Sequence, residues 1–266
     1  MKIWCQLPKS MPQDSPDFKT YYELLLSDYN IVKRPDTEVV IKDVPTALSE
    51  TYDISYLGIR ALLDHHILRT MLQAEREGYD AIAGACYFDG AVEAAGNLMS
   101  IPVVGAAKAS MHLASVIGNH FAVVTSDPKW VYEMEKHIIE CGMRDSALPV
   151  NPVRSLTISF ATLKECLKGN YQPVIDDFKK VAHTCLKDGA DTIIAGCGLF
   201  SPMLTQSGIV DLQGAPIIDS MLASLKFAEL MVDFRNAGID LKTARGWFIR
   251  PTAGQINKVL ELEGWL

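Results

Sequence analysis

The reactive side chains of this chain are its thiols. Of six cysteines (Cys5, Cys86, Cys141, Cys166, Cys185 and Cys197), two stand in matching surroundings. Cys86 ends the stretch Gly78-Tyr-Asp-Ala-Ile-Ala-Gly-Ala-Cys86, and Cys197 ends Gly189-Ala-Asp-Thr-Ile-Ile-Ala-Gly-Cys197. In both, the cysteine lies eight residues after the opening glycine and the third position is aspartate. Each reads as a short buried strand that stops at a thiol and turns into a helix. The turn is Tyr87-Phe88-Asp89-Gly90 in the first copy and Gly198-Leu199-Phe200 in the second. Ligands bind at the carboxyl edge of an α/β sheet, and the N–H groups of a helix start favour an anion. A thiol placed there ionises more readily, and its thiolate can act as base or nucleophile.

The elements that must position these thiols also come in pairs. Ile101-Pro-Val-Val-Gly-Ala-Ala-Lys-Ala-Ser-Met-His-Leu-Ala114 matches Ala215-Pro-Ile-Ile-Asp-Ser-Met-Leu-Ala-Ser-Leu-Lys-Phe-Ala228, and the strand at Lys2 to Pro8 runs parallel to Ala122 to Pro128. The offset drifts by a few residues, as loop insertions would produce. A repeat this long is a duplicated α/β unit, not a solenoid. Residues 1–117 are therefore expected to form the first half, 118–236 the second, and 237–266 a tail that packs on a domain or a neighbouring subunit. Strand segments are expected at 1–7, 37–44, 78–86, 102–105, 121–125, 149–155, 189–197 and 216–218. Helices are expected at 18–26, 56–77, 91–99, 108–117, from Asp127-Pro128 towards Cys141, at 162–167, 174–186, after Ser201-Pro202, and at 220–234. This alternation defines an α/β class: two pseudo-symmetric halves with mostly parallel sheets, each giving one thiol to the cleft between them.

Composition narrows the function. Hydrophobic residues make up 48% and charged residues 21%, which suits a globular protein with a sizeable core. A net charge of −7 argues against nucleic acid or an anionic membrane as the partner. No apolar run is long enough to span a bilayer, and Gln6, Pro8 and Lys9 interrupt any signal-peptide core, so a cytoplasmic location is expected. The cysteines lack Cys-x-x-Cys spacing, and the six histidines share no metal-ligand spacing, so neither a disulfide framework nor a metal site is expected. Gly84, Gly196 and Gly198 form no dinucleotide fingerprint and no phosphate loop is present. The expected partner is a small molecule, bound without a cofactor.

These features resemble the aspartate/glutamate/hydantoin racemase superfamily over nearly the whole chain. Cys86-Tyr-Phe-Asp-Gly is similar to the cysteine–aromatic–Asp–Gly segment of hydantoin racemases and lacks the Cys-Asn-Thr of aspartate and glutamate racemases. Gly196-Cys197-Gly-Leu-Phe likewise lacks the Cys-Thr of those enzymes. Two departures stand out: Gln6-Leu-Pro-Lys-Ser10 replaces an Asn-Pro-Asn-Thr type loop, and Lys108 stands where Glu is common. The resemblance implies a cofactor-independent racemase or epimerase, and a homo-oligomer. Cys86 and Cys197 would be base and acid on the two faces of a carbon next to a carbonyl. The backbone N–H groups of Tyr87, Phe88, Gly198 and Leu199 would hold the developing charge. Gln6, Ser10, Thr125 and Ser126, at the carboxyl edges of the first strands, would hold a carboxylate or imide. Maleate isomerase-like enzymes resemble the same architecture and use two cysteines, one as a covalent nucleophile. Arylmalonate decarboxylases keep only the second thiol. A bilobal binding protein without turnover is the alternative outside the enzymes.

Plainer roles compete for several residues. Cys5, Cys141, Cys166 and Cys185 read as small apolar core residues. Asp80 and Asp191 read as caps of the preceding turn. Thr125 and Ser126 either contact a ligand or cap the helix at Pro128. Lys108 and Lys129 read as solvated, and His112 as a surface or core residue.

Overall fold

A computed structural model of the chain describes residues 1–8, 16–45 and 56–265. The described residues form two sheets flanked by helices. In the first, β1 (Lys2–Gln6), β2 (Glu38–Lys42), β3 (Ala81–Gly84) and β4 (Val103–Val104) are all parallel, in the order β2-β1-β3-β4. In the second, β5 (Phe121–Thr125), β6 (Val153–Ser155), β7 (Thr192–Ala195), β8 (Asp211–Leu212) and β9 (Ala215–Asp219) run in the order β6-β5-β7-β9-β8. Only β8 is antiparallel, paired with β9 across the turn Gln213-Gly214. Without β8 the two orders are the same, as a duplication requires. β3, β5 and β7 are buried along their whole length, which is why they read as unbroken apolar runs.

The repeated motif has a physical meaning at each position. α2 (Leu57–Arg76) and α7 (Gln172–Lys187) end just before Gly78 and Gly189, which take φ of +76° and +100°. Glycine enters that left-handed region without a Cβ clash. The N–H of Tyr79 then bonds the Ala74 carbonyl, and that of Ala190 bonds the Cys185 carbonyl. The repeated aspartates do not cap these turns. The Asp80 carboxylate accepts from the Lys2 N–H at 2.7 Å, and Asp191 accepts from Asn119 and His120 at 2.8 and 3.1 Å. Each ties the start of its own strand to the start of the neighbouring first strand.

The remaining helices are α1 (Pro16–Val32), α3 (Val92–Leu98), α4 (Ala106–Ile117), α5 (Val131–Glu140), α6 (Phe160–Cys166), α8 (Ser201–Gln206), α9 (Ser220–Asn236) and α10 (Ala253–Leu262). The segment after Asp127-Pro128 starts as a 3-10 turn, Pro128–Trp130, and Asp127 itself caps it by accepting from the Lys129 N–H at 2.8 Å. Thr125 and Ser126 therefore do not cap this helix. α4 and α9 change partners: α4 lies on β7, β5 and β9 of the second sheet, while α9 lies on β3, β4 and β1 of the first. The two helices also pack on each other. Their buried faces are rich in Ala and Ser, which lets the backbones approach closely. Ser224 on α9 donates to the Gly84 carbonyl at the end of β3, at 3.0 Å. The tail returns to the first half: Lys242 donates to the Met99 and Ile101 carbonyls, and Trp265 stacks edge-on to His65. No helix among the described residues is long and apolar enough to cross a membrane.

One core carboxyl carries a stability prediction. Asp28 on α1 is fully buried and neither oxygen has a partner at normal hydrogen-bonding distance among the described residues. It faces Asp219, whose carboxylate caps α9 through the Met221 and Leu222 N–H groups and accepts from Thr205. Burial first, and then the Asp219 charge, push Asp28 up to about 9. The folded state therefore keeps a proton that an unfolded carboxyl of pKa ~3.9 has lost. This group's contribution is most favourable below about pH 4, declines as pH rises towards 9, and is level above that. Asp28→Asn should raise Tm more at about pH 8 than at about pH 5, flattening the profile. Equal Tm changes at both pH values would contradict this.

Candidate active site

Each thiol stands two residues beyond its strand, Cys86 after β3 and Cys197 after β7. The chains stay in register up to that point: the Ala85 N–H bonds the Gln6 carbonyl and the Gly196 N–H bonds the Val124 carbonyl. Beyond it they diverge. The Ser201 N–H bonds the Cys197 carbonyl and opens α8 directly. The turn after Cys86 is tighter, with the Asp89 N–H on the Cys86 carbonyl and both Asp89 (φ +49°) and Ala91 (φ +58°) left-handed. Each such residue costs roughly 1–2 kcal/mol.

Both cysteines line one cleft of about 580 Å³, counted out to open solvent. Its walls include Leu7, Tyr21, Tyr87, Phe88, Trp130, Met134, Phe160 and Leu199. The rings of Phe88 and Trp130 meet edge-on at 5.3 Å, and Trp130 meets Phe160 at 6.1 Å. The two cysteine turns abut: a Cβ on Gly198 would lie 2.9 Å from the Ala85 carbonyl oxygen and 3.0 Å from the Met221 sulfur. Tyr21 on α1 donates to the Gly198 carbonyl at 3.2 Å.

The two thiols sit in different fields. Burial pushes Cys86 up to about 12, with the Phe88 N–H opposing and the charges of Cys197, Asp89 and Asp64 adding. Burial also raises Cys197, but the Ser126 hydroxyl and the Leu199 and Phe200 N–H groups favour its thiolate. Tyr21 is raised by burial and by the two thiols.

Of the residues expected at the site, Cys86, Tyr87, Phe88, Cys197, Gly198 and Leu199 line this cleft. Gln6 does not. It borders a smaller pocket of about 230 Å³ that shares Leu7, Pro8 and Cys86, and its amide accepts from Trp4 and donates to the Leu7 carbonyl. Thr125 and Ser126 are buried and do not line the cleft; the Thr125 hydroxyl has no partner at hydrogen-bond distance among the described residues, and the Ser126 hydroxyl faces the Cys197 thiol from behind. Ser10 lies outside the described residues. Cys5, Cys166 and Cys185 are core residues, as expected, whereas Cys141 is partly exposed, with its sulfur 3.7 Å from His137 Nε2. Lys108 and Lys129 are exposed.

Sequence reasoning missed Tyr21, Trp130, Met134 and Phe160. A usable signal existed for two of them: Trp130 and Met134 follow the carboxyl end of β5, one helical turn apart, where α/β topology places ligands. Tyr21 had none, because α1 reaches the cleft through tertiary packing on α8, α9 and β2.

A two-sheet α/β body with mostly parallel strands is a fold shared with racemases of known structure. The Asp/Glu/Hydantoin racemase family model matches residues 34–228, and the chain belongs to that family. Within it, the chain falls with the hydantoin racemase-like branch. It is 29% identical to the hydantoin racemase of Pseudomonas sp. (strain NS671) over 213 residues, 79% of this chain and 80% of that one. It is 26% identical to the hydantoin racemase of Rhizobium meliloti over 166 residues, 62% and 66% of the two chains. Among solved structures, allantoin racemase from Klebsiella pneumoniae superposes with a TM-score of 0.76 at 21% identity, covering 94% of each chain. Glutamate racemase from Campylobacter jejuni superposes at 0.57 and 13% identity, covering 98% and 97%. At these identities the superpositions speak for the fold.

Proposed function

We propose that this protein is a cofactor-independent racemase or epimerase in which Cys86 and Cys197 exchange protons with a carbon next to a carbonyl. The reading is carried by one observation: two repeat-matched thiols, one from each half, line a single cleft. One thiolate removes the substrate proton, the other thiol delivers a proton to the opposite face, and the electron pair rests meanwhile on the carbonyl oxygen as an enolate. The asymmetry of the fields favours Cys197 as the first thiol to ionise. The Trp130 indole N–H, buried without a partner among the described residues, is a donor suited to a ring carbonyl.

The substrate class that suits the cleft is a hydantoin-type or other amino-acid-derived ring with an apolar side chain. The aromatic wall of Phe88, Trp130 and Phe160 favours burial of such a group by ~1.5–3 kcal/mol. The diacid of a cis–trans isomerase would have to lose water against that same wall, which disfavours the covalent alternative. A polarimetric and deuterium-exchange screen of hydantoins, free amino acids and small diacids tests the reading. Hydantoins with an aromatic or branched aliphatic substituent should exceed carboxylate-bearing ones by ~10-fold or more in kcat/KM. Because burial holds both thiols protonated near neutrality, kcat/KM should rise with pH by about tenfold per unit until one thiol has ionised. Binding with constant optical rotation and no solvent deuterium in any ligand would leave only a binding protein.

A further inference from the structure

The turn that carries Cys86 is strained, and the side chain that holds it is not in the turn's own half alone. Asp89 is nearly buried, and its carboxylate accepts from the N–H groups of Ala107 and Lys108 at 3.1 and 3.0 Å, capping α4. The matching helix α9 is capped by its own preceding residue, Asp219. In the first half that position is Gly105, and a Cβ there would fall 2.1 Å from the Asp89 carboxylate. The cap has thus moved from the helix to the thiol-bearing turn. Across the cleft interface, His137 on α5 puts Nε2 3.4 Å from the same carboxylate.

We propose that His137 is a positioning residue for Cys86, acting through Asp89: it clamps the left-handed turn from the second half and offsets the carboxylate charge beside the thiol. This rests on the two-thiol reading for its consequence in turnover, but not for its test. The ring of His137 is faced by Asp89, by Cys141 at 3.7 Å and by Glu140, whose Oε2 is 3.5 Å from Nδ1. Burial pushes the imidazolium down, but Asp89 and Cys141 more than reverse this and hold His137 at about 10, so it is a cation at neutral pH. The other carboxylate acting on Cys86 is Asp64 on α2. Arg60 of the same helix lies near Asp64 and is bonded to Glu133 of α5 at 2.6 Å. His137 is the cation in contact with Asp89.

The test needs no substrate. Iodoacetamide alkylation at about pH 8, where His137 is a cation, is followed separately at Cys86 and Cys197 by peptide mass spectrometry. His137→Gln leaves the Asp89 charge uncompensated and should slow alkylation of Cys86 by about threefold or more. Asp89→Asn should speed it. His137→Lys restores a cation and should return the rate towards the wild-type value, even if His137→Gln folds poorly. The Cys197 rate should stay within about 1.5-fold in all three. Changes of the same sign in His137→Gln and Asp89→Asn, or equal changes at both cysteines, would overturn the proposal, because a purely structural clamp gives no charge-dependent sign. If the changes appear while the wild-type protein racemises nothing, it is the racemase reading that fails.

Discussion

Cys86→Ser and Cys197→Ser should each lose racemisation by ~10²–10⁴-fold, the range that a positioned acid or base contributes. A serine hydroxyl is far too weak an acid to replace either thiol, and its volume is close enough to leave the fold intact. The informative residue is what survives. With one sulfur left on one side, a single enantiomer should still exchange its hydrogen for solvent deuterium without inverting. The two variants should pick opposite enantiomers. Chiral chromatography coupled to mass spectrometry reads both quantities at once. Full racemisation in either variant would remove that thiol from the mechanism, and a kinetically competent substrate–cysteine adduct would move the chemistry to covalent catalysis.

Gly198→Ala is the second large effect. Its new methyl group would meet the Ala85 carbonyl oxygen at 2.9 Å, a backbone atom that cannot rotate away, and the Met221 sulfur at 3.0 Å. The two cysteine turns must then separate by several tenths of an ångström. Misplacing reacting groups by about 1 Å costs on the order of 10²-fold in rate, so kcat should fall by roughly ten- to a hundredfold. Overpacking of this kind costs ~1–3 kcal/mol, which for a chain of this size lowers Tm by several degrees. The hydrogen bond from Tyr21 to the Gly198 carbonyl should weaken as well. A Gly198→Ala variant with wild-type kcat would mean that the spacing of the turns does not govern turnover.

Much of the fold could be read from the repeat, because its residues are set by local physics. Gly78 and Gly189 end helices with a positive φ, the strands between are buried on both faces, and each cysteine falls at the sheet edge. The two thiols were therefore legible, and so were Tyr87, Phe88, Gly198 and Leu199 beside them. β8 escaped because two residues carry no period. Gln6 was misplaced because its position at the end of β1 is right but its side chain turns back to Trp4 and the Leu7 carbonyl, a rotamer that sequence does not encode. The roles of Asp80 and Asp191 were misjudged because their partners, Lys2, Asn119 and His120, lie 71 to 78 residues away in the chain. The aromatic wall was missed because Trp130 and Phe160 come from separate elements that converge only in three dimensions.

The exchange of α4 and α9 between the sheets bears on the molecule's mechanics. Each like unit lays its last helix chiefly over its sibling's sheet, so the two units interlock within one chain. Neither unit keeps its own strands out of water alone. The spacing of the two sulfurs at the cleft is thus set by an interlocked interior and not by a hinge.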